Sequence, residues 1–190
     1  MENTHALTGY ILAGGKSSRF GSDKARTFIE GRPVISRIAD VMRRFCENVV
    51  VVADWPGKYA DLNLPTVVDE HPGCGPIGGL ETALQAAGED RWIFLISCDW
   101  AILPMDFLRP LLTAPRNRCQ AIAYYDDVWQ PMPALYHTSL FPMVQGNIQT
   151  ADLSLWKVLE SATNRRLDMP PIHCRGLQFN TWQELKGLQD

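Results

Sequence analysis

Residues Leu12-Ala-Gly-Gly-Lys-Ser-Ser-Arg-Phe-Gly-Ser-Asp-Lys24 follow directly on the apolar run Tyr10-Ile11-Leu12. A loop of this kind, leaving the carboxyl end of a buried strand, constrains the fold more than any other stretch of the chain. Its glycines let backbone N–H groups approach an anion with no Cβ in the way. Lys16, Arg19 and Lys24 add positive charge around the same place. The composition of the loop is that of a polyphosphate cradle. It is not a Walker A loop: Gly15-Lys16-Ser17 supplies the end of that motif, but its required first glycine falls on Tyr10. It is not the dinucleotide fingerprint either, since Gly14 and Gly15 are adjacent and the next glycine is Gly21.

Short apolar runs alternate with amphipathic stretches along the rest of the chain. Gly9–Ala13, Asn48–Ala53, Thr66–Val68 and Trp92–Ser97 read as strands, the second through four consecutive valines. Ile35, Ile38, Ala39, Met42 and Phe45 fall at helical spacing, as do Ile77, Leu80, Ala83, Leu84 and Ala87, with Gly88 as a stop. Asp106–Leu112 reads as a helix closed by Pro115. Gln120–Tyr125 and Met132–Tyr136 read as strands around the turn Asp126-Asp127. Leu140 to Asp168 is expected to be mostly helical, burying Leu153, Trp156, Val158 and Leu159. Leu177–Asn180 reads as a last strand, and Thr181-Trp-Gln-Glu184 as a capping box that opens a final helix. This alternation predicts one three-layer α/β domain over residues 1–190, with a mostly parallel sheet and helices on both faces.

At 190 residues the chain is long enough for one sizeable core. A formal charge of −3 argues against a general nucleic-acid binder, and no apolar run approaches the roughly 20 residues that span a bilayer. The five cysteines are odd in number and show no C-x-x-C spacing, and the four histidines show no ligand spacing. The opening Met-Glu-Asn-Thr-His lacks a basic segment followed by an apolar one. These features set the expectation of a cytoplasmic protein without a membrane partner.

In open parallel sheets, ligands bind beyond the carboxyl ends of the strands, at the switch in strand order. That rule gathers Gly14–Lys24, the segment after Ala53, Asp69–Gly79 and Cys98–Ile102. Asp99 follows a strand end beside the polyphosphate loop, where a carboxylate can share Mg²⁺ with phosphates and water; its alternative role is to cap the helix beyond Pro104. Asp69 ends its strand in reach of ribose, base or metal, or serves as a turn residue. Gly73-Cys-Gly-Pro-Ile-Gly-Gly79 runs into a helix, whose N-terminus favours negative charge. Lys24 is the cation best placed for the reacting phosphate, because phosphoryl-type displacement rests on positioning and charge stabilisation rather than on a general base.

Together these residues resemble the molybdenum cofactor guanylyltransferases. Leu12-Ala-Gly-Gly15, Arg19-Phe-Gly21 and Asp23-Lys24 match that family's opening motif. Gly75-Pro-Ile-Gly-Gly79, Cys98-Asp99, Gln130-Pro131 with Ala134-Leu-Tyr136, and Asn180-Thr181 with Glu184-Leu185 match its later segments. The first motif alone marks only the wider nucleotidyltransferase superfamily. The resemblance implies a Rossmann-like domain of the nucleotide-diphospho-sugar transferase type, which joins GMP from GTP to molybdopterin. It implies that Leu12, Ala13, Gly14, Gly15, Lys24, Asp69 and Asp99 bind GTP, that Asp99 also holds Mg²⁺, and that Arg19, Gly78 and Asn180 face the pterin. Lys24, Asp99 and Arg19 form the implied catalytic set, and molybdenum cofactor biosynthesis proteins the implied transient partners. Three positions depart from the family pattern. Val52 stands where relatives often have asparagine, with Asp54 two residues on. Gln178 stands in place of Asn or Asp, and Asp152-Leu153 where an arginine is often found. A cytidylyltransferase for the same pterin, a sugar-1-phosphate nucleotidyltransferase and a non-catalytic nucleotide sensor are the alternatives.

Overall fold

The computed structural model of the chain describes residues 7–14, 23–171, 175–179, 181, 183 and 184. Among these, the elements run β1 (Thr8–Leu12), β2 (Phe28–Ile29), β3 (Arg32–Pro33), α1 (Val34–Met42), β4 (Asn48–Ala53), β5 (Thr66–Val68), α2 (Pro76–Ala87), β6 (Trp92–Ser97), β7 (Trp100–Ile102), α3 (Met105–Thr113), β8 (Ala121–Asp126), β9 (Val128–His137), α4 (Phe141–Gln149), α5 (Leu155–Ser161), β10 (Asn164–Asp168) and β11 (Leu177–Gln178). A strand covered on both faces carries apolar residues at successive positions and sends them alternately to opposite layers. β6 does this: Phe94 and Ile96 join one core cluster while Ile93 and Leu95 join the other. β4 divides likewise, with Val49, Val51 and Ala53 on the first side and Val52 on the second. The first cluster is roofed by α1 and α3, the second by α2, α4 and α5.

The main sheet has the order β10-β8-β9-β6-β1-β4-β5. All its neighbours pair in parallel except β9, which is antiparallel to both β6 and β8. The chain steps outward from β1 to β4 and β5, then returns to place β6 on the other side of β1. The order therefore switches at β1, the point beyond whose carboxyl end open parallel sheets bind their ligands.

Several expectations need correction. Leu140–Asp168 is not helical throughout, because Asn164–Asp168 forms β10, an edge strand parallel to β8. Val158 and Leu159 are buried as expected, but Leu153 and Trp156 are exposed at 38% and 46%, and Leu155 is the third residue that α5 buries. Phe45 lies beyond the end of α1. The strand expected to begin at Met132 starts at Val128, and the pairing with β8 shifts register between Ala123 and Tyr124. β7 and β11 form a small antiparallel pair, with Leu177 opposite Ile102. At the start of the expected capping box, Glu184 N–H donates to Thr181 Oγ1 at 3.2 Å; residues 185–190, which would carry the helix, lie outside the described residues.

Two glycines separate close packing from open space. A Cβ at Gly78, in the first turn of α2, would stand 2.9 Å from the His71 carbonyl oxygen. At Gly146, inside α4, it would meet nothing within 4 Å. Gly78→Ala should lower stability by about 1–3 kcal/mol through overpacking. Gly146→Ala should raise it by roughly 0.5–1 kcal/mol through the lost flexibility of the unfolded chain. Urea unfolding of both variants checks the pair, and equal effects of one sign would contradict the packing described here.

Candidate active site

Backbone hydrogen bonds align four chain segments along one edge. Ala13 N–H donates to Val52 O at 2.9 Å, Cys98 N–H to Leu12 O at 3.1 Å, and Asp69 N–H to Ala53 O at 2.8 Å. Leu12, Ala13, Gly14, Asp69 and Asp99 therefore share the carboxyl edge around β1, as the switch-point rule requires. A Cβ built on Gly14 would lie 3.6 Å from Asp69 Oδ2, and one on Gly79 would lie 2.8 Å from Leu12 Cδ2. The first distance is ordinary contact; the second shows that the lack of a side chain at Gly79 lets α2 pack closely on Leu12 at the end of β1. Gly75, which heads α2 with φ +71°, supplies a backbone geometry that other residues avoid.

Lys24 opens a 3-10 turn, Lys24–Arg26, with Asp23 as its N-cap. Its Nζ stands 3.9 Å from Asp99 Oδ2 and 4.8 Å from the centroid of the Phe179 ring. The two charged side chains come from segments 75 residues apart and remain only 14% and 21% exposed. At 3.9 Å they interact as charges rather than through a hydrogen bond.

Asp99 is fixed from three sides. Its Oδ1 accepts from Ser97 Oγ and, at 3.2 Å, from Gln178 Nε2. Its carbonyl oxygen accepts from Phe179 N–H at 2.9 Å. The short β7–β11 pair is thus a brace for Asp99, and Gln178, a departure from the family pattern, serves in it. No hydrogen bond among the described residues falls on Oδ2. Asp99 does not cap α3, whose N-cap position is Pro104.

The fit to Mg²⁺ follows from this arrangement. Among the described residues no three or more His, Cys, Asp or Glu side chains gather as a cage. Mg²⁺ at a nucleotide needs no cage, since one or two carboxylates, phosphates and water complete its shell. Asp99 Oδ2 suits that role.

Asp69 Oδ1 accepts from His71 N–H at 3.0 Å. Burial raises its carboxyl pKa above the ordinary value, opposed in part by that hydrogen bond and by the His71 charge. Partial burial of this carboxylate carries a cost in stability at neutral pH. Asp54 is paired with Lys58 Nζ at 2.7 Å, and Val52 is a core residue. Asp152 is held by Lys157 Nζ at 3.0 Å. Arg19, Gly15, Lys16 and Asn180 lie outside the described residues. Gly78 packs against His71 and Asp69, which accounts for the absence of a side chain there.

Sequence reasoning missed Ser97, Phe179, Lys58 and Tyr59. The Tyr59 hydroxyl donates to Asp23 Oδ2 at 2.9 Å, across 36 positions of chain. No local pattern announces such a bond.

A mostly parallel sheet whose switch point carries an opposed lysine and carboxylate is an arrangement of the nucleotidyltransferase class of α/β proteins. The same fold is found in the crystal structure of molybdopterin-guanine dinucleotide biosynthesis protein A from Archaeoglobus fulgidus, with a TM-score of 0.78 over 96% of each chain at 19% identity. The family model described as MobA-like NTP transferase domain matches residues 9–167, and the chain belongs to that family. A protein of Deinococcus radiodurans named probable molybdenum cofactor guanylyltransferase is 39% identical over 151 residues, 78% of this chain and 77% of the relative. A protein of Aquifex aeolicus with the same name is 30% identical over 183 residues, 95% of this chain and 89% of the relative. Among the described residues, no helix is long and apolar enough to cross a membrane.

The raised pKa of Asp69 sets a pH dependence. The folded state holds this proton more tightly than the unfolded chain does. Its contribution to stability is therefore complete below the unfolded carboxylate range, about pH 3.9, and is lost as pH rises through the folded value. Asp69→Asn removes the buried charge and keeps an acceptor for His71 N–H. The variant should be more stable than the parent at pH 7, with the gain shrinking toward pH 4. Denaturant midpoints across that range measure it, and a less stable variant at pH 7 would show the charge to be stabilising.

Proposed function

We propose that this chain, acting as one nucleotidyltransferase domain in the cytoplasm, transfers GMP from GTP to the terminal phosphate of molybdopterin. The observation that carries the proposal is the placement of Lys24 Nζ 3.9 Å from Asp99 Oδ2 at the switch point of the sheet. The names of the relatives in this family support guanylyl transfer over cytidylyl or sugar-phosphate transfer.

In this reaction an oxygen of the acceptor's terminal phosphate forms a bond to the α-phosphorus of GTP. The bond from that phosphorus to the bridging oxygen breaks, and pyrophosphate leaves with the electron pair. The attacking phosphate is already ionised at neutral pH, so no general base is required. The barrier is the alignment of two mutually repelling polyanions, and alignment alone is worth roughly 7–11 kcal/mol at best. Lys24 offsets charge at the α-phosphate. Leu12, Ala13, Gly14 and Gly15 offer backbone groups to the nucleotide, and Asp69 meets its ribose or base. Arg19, Gly78 and Asn180 form the acceptor side. Asp99 would hold Mg²⁺, which supplies Lewis-acid neutralisation of phosphate charge when bound. Molybdenum cofactor biosynthesis proteins are the implied source and destination of the pterin.

Purified protein assayed with molybdopterin and each of the four nucleoside triphosphates tests the proposal. GTP should be used well ahead of CTP and ATP, because a wrong base leaves polar groups unpaired at about 1–3 kcal/mol each. Preference for CTP would move the chain to the cytidylyl branch. Asp99→Asn should fold normally and lose about 10²-fold or more in kcat, the scale of one transition-state electrostatic contact. Near-normal turnover by that variant would remove Asp99 from the site.

A further inference from the structure

The 3-10 turn that carries Lys24 is only three residues long, and a single turn does not fix where a lysine side chain points. Its orientation has to come from contacts outside it. The Lys24 side chain meets Asp99 and Phe179 at its far end, and the residues on either side of it are tied to one segment, residues 54–61, which leaves the carboxyl end of β4. Asp23, at the head of the turn, accepts Ala25 N–H through Oδ1 at 3.0 Å and the Tyr59 hydroxyl through Oδ2 at 2.9 Å. Lys58 Nζ lies 3.6 Å from the same Oδ2. Arg26, at the tail of the turn, donates to both carboxylate oxygens of Asp61 at 2.8 Å and to the Lys58 carbonyl at 2.6 Å.

These ties are not equivalent. Arg26 and Asp61 are 38% and 59% exposed, and water and salt screen a pair of that kind. The Lys58 ammonium is shared with Asp54, at 2.7 Å. Tyr59, by contrast, has no exposed surface, and its ring sits in the core cluster that also holds Ala25 and the buried face of α1. Burial, the Asp23 charge and their hydrogen bond all raise its pKa, so the phenol stays protonated and acts as a donor. Ala25 packs the middle of the turn into that core, and among the described residues Tyr59 is the fully buried side chain whose hydroxyl hydrogen-bonds the head of the turn.

We infer that Tyr59 is a positioning residue for nucleotidyl transfer: its hydroxyl, held on Asp23, fixes the turn that sets Lys24 against the reacting phosphate. Tyr59 acts through Asp23 and Lys24, and its buried side chain makes no contact with substrate. The inference rests on the transferase function proposed above, and it adds to the active site a residue from a segment that the loop motif does not include.

The test uses the full chain with Tyr59→Phe, which keeps the ring and removes the hydroxyl, alone and combined with Lys24→Met. Tyr59→Phe should lower kcat about tenfold, since misplacement by about 1 Å is enough for such losses. The KM for GTP should stay within about twofold, as expected for an interaction made only in the transition state. In the Lys24→Met background the same change should cost nothing further. Crystal structures of parent and Tyr59→Phe without nucleotide should show Lys24 Nζ displaced from Asp99 in the variant. Asp23→Asn, which keeps an N-cap for Ala25 while weakening the tie to Tyr59, should reproduce the loss and covers the case in which Tyr59→Phe does not fold. Full turnover by a folded Tyr59→Phe protein overturns the inference, as does an undiminished loss in the Lys24→Met background. If the parent protein does not turn over GTP, the guanylyl-transfer proposal fails by itself. The crystal structures then decide this inference: a displaced Lys24 supports it and an unmoved one overturns it.

Discussion

One pair of charges sets the demands on the rest of this structure. A lysine and a carboxylate from distant parts of the chain face each other at 3.9 Å, each largely shielded from water. Neither can be held by its own segment. Lys24 stands on a single 3-10 turn, and Asp99 lies in the short connection between β6 and β7. Each has its own brace. The segment after β4 holds the turn through Asp23 and Arg26, while the β7–β11 pair and Ser97 hold the carboxylate. The sheet then fixes the distance between the two braces, because β1, β4 and β6 are consecutive neighbours in one parallel ladder. Groups placed in this way need little reorganisation when charge develops between them, and that is the physical basis of catalysis by preorganised electrostatics.

The glycines of α2 and the desolvated carboxylate belong to one packing arrangement. Gly78 and Gly79 let α2 approach the β5 loop and Leu12 more closely than any side chain would allow. That approach puts Asp69 in a desolvated position that raises its pKa. That desolvation costs stability, at a position between Gly14 and the first turn of α2. The departures from the family pattern also find physical places: Val52 fills the core, Asp54 pairs with Lys58, and Gln178 donates to Asp99.

Two central strands were legible because burial on both faces leaves unbroken apolar runs: Asn48–Ala53 and Trp92–Ser97 form β4 and β6 with those bounds. The edge strand β5 also matches its expected bounds, Thr66–Val68, but the other edges were not legible. β10 reads Asn-Arg-Arg-Leu-Asp, an edge strand whose charges discourage further pairing and erase the alternation that marks a half-buried strand. β7 and β11 are too short to show any period. The β2–β3 hairpin is signalled only by Glu30-Gly31, both at positive φ, as a two-residue turn requires. At the candidate site, Lys24, Asp69 and Asp99 were singled out from the first loop and the strand ends, and Leu12, Ala13 and Gly14 through the resemblance; the structure brings Leu12, Ala13, Gly14, Asp69 and Asp99 to one edge and Lys24 to Asp99. Tyr59, Ser97 and Phe179 were not singled out, because what they contribute is a contact rather than a chemistry, and a contact across the fold leaves no trace in local sequence.

The measurement that tests this account most directly is the position of the metal in a crystal grown with Mn²⁺ and a non-hydrolysable GTP analogue, located by anomalous scattering. The account expects one strong peak in direct coordination with Asp99 and the analogue's phosphates, with the α-phosphate lying between that metal and Lys24 Nζ. A metal bound away from Asp99, or an α-phosphate out of reach of Lys24, would contradict it.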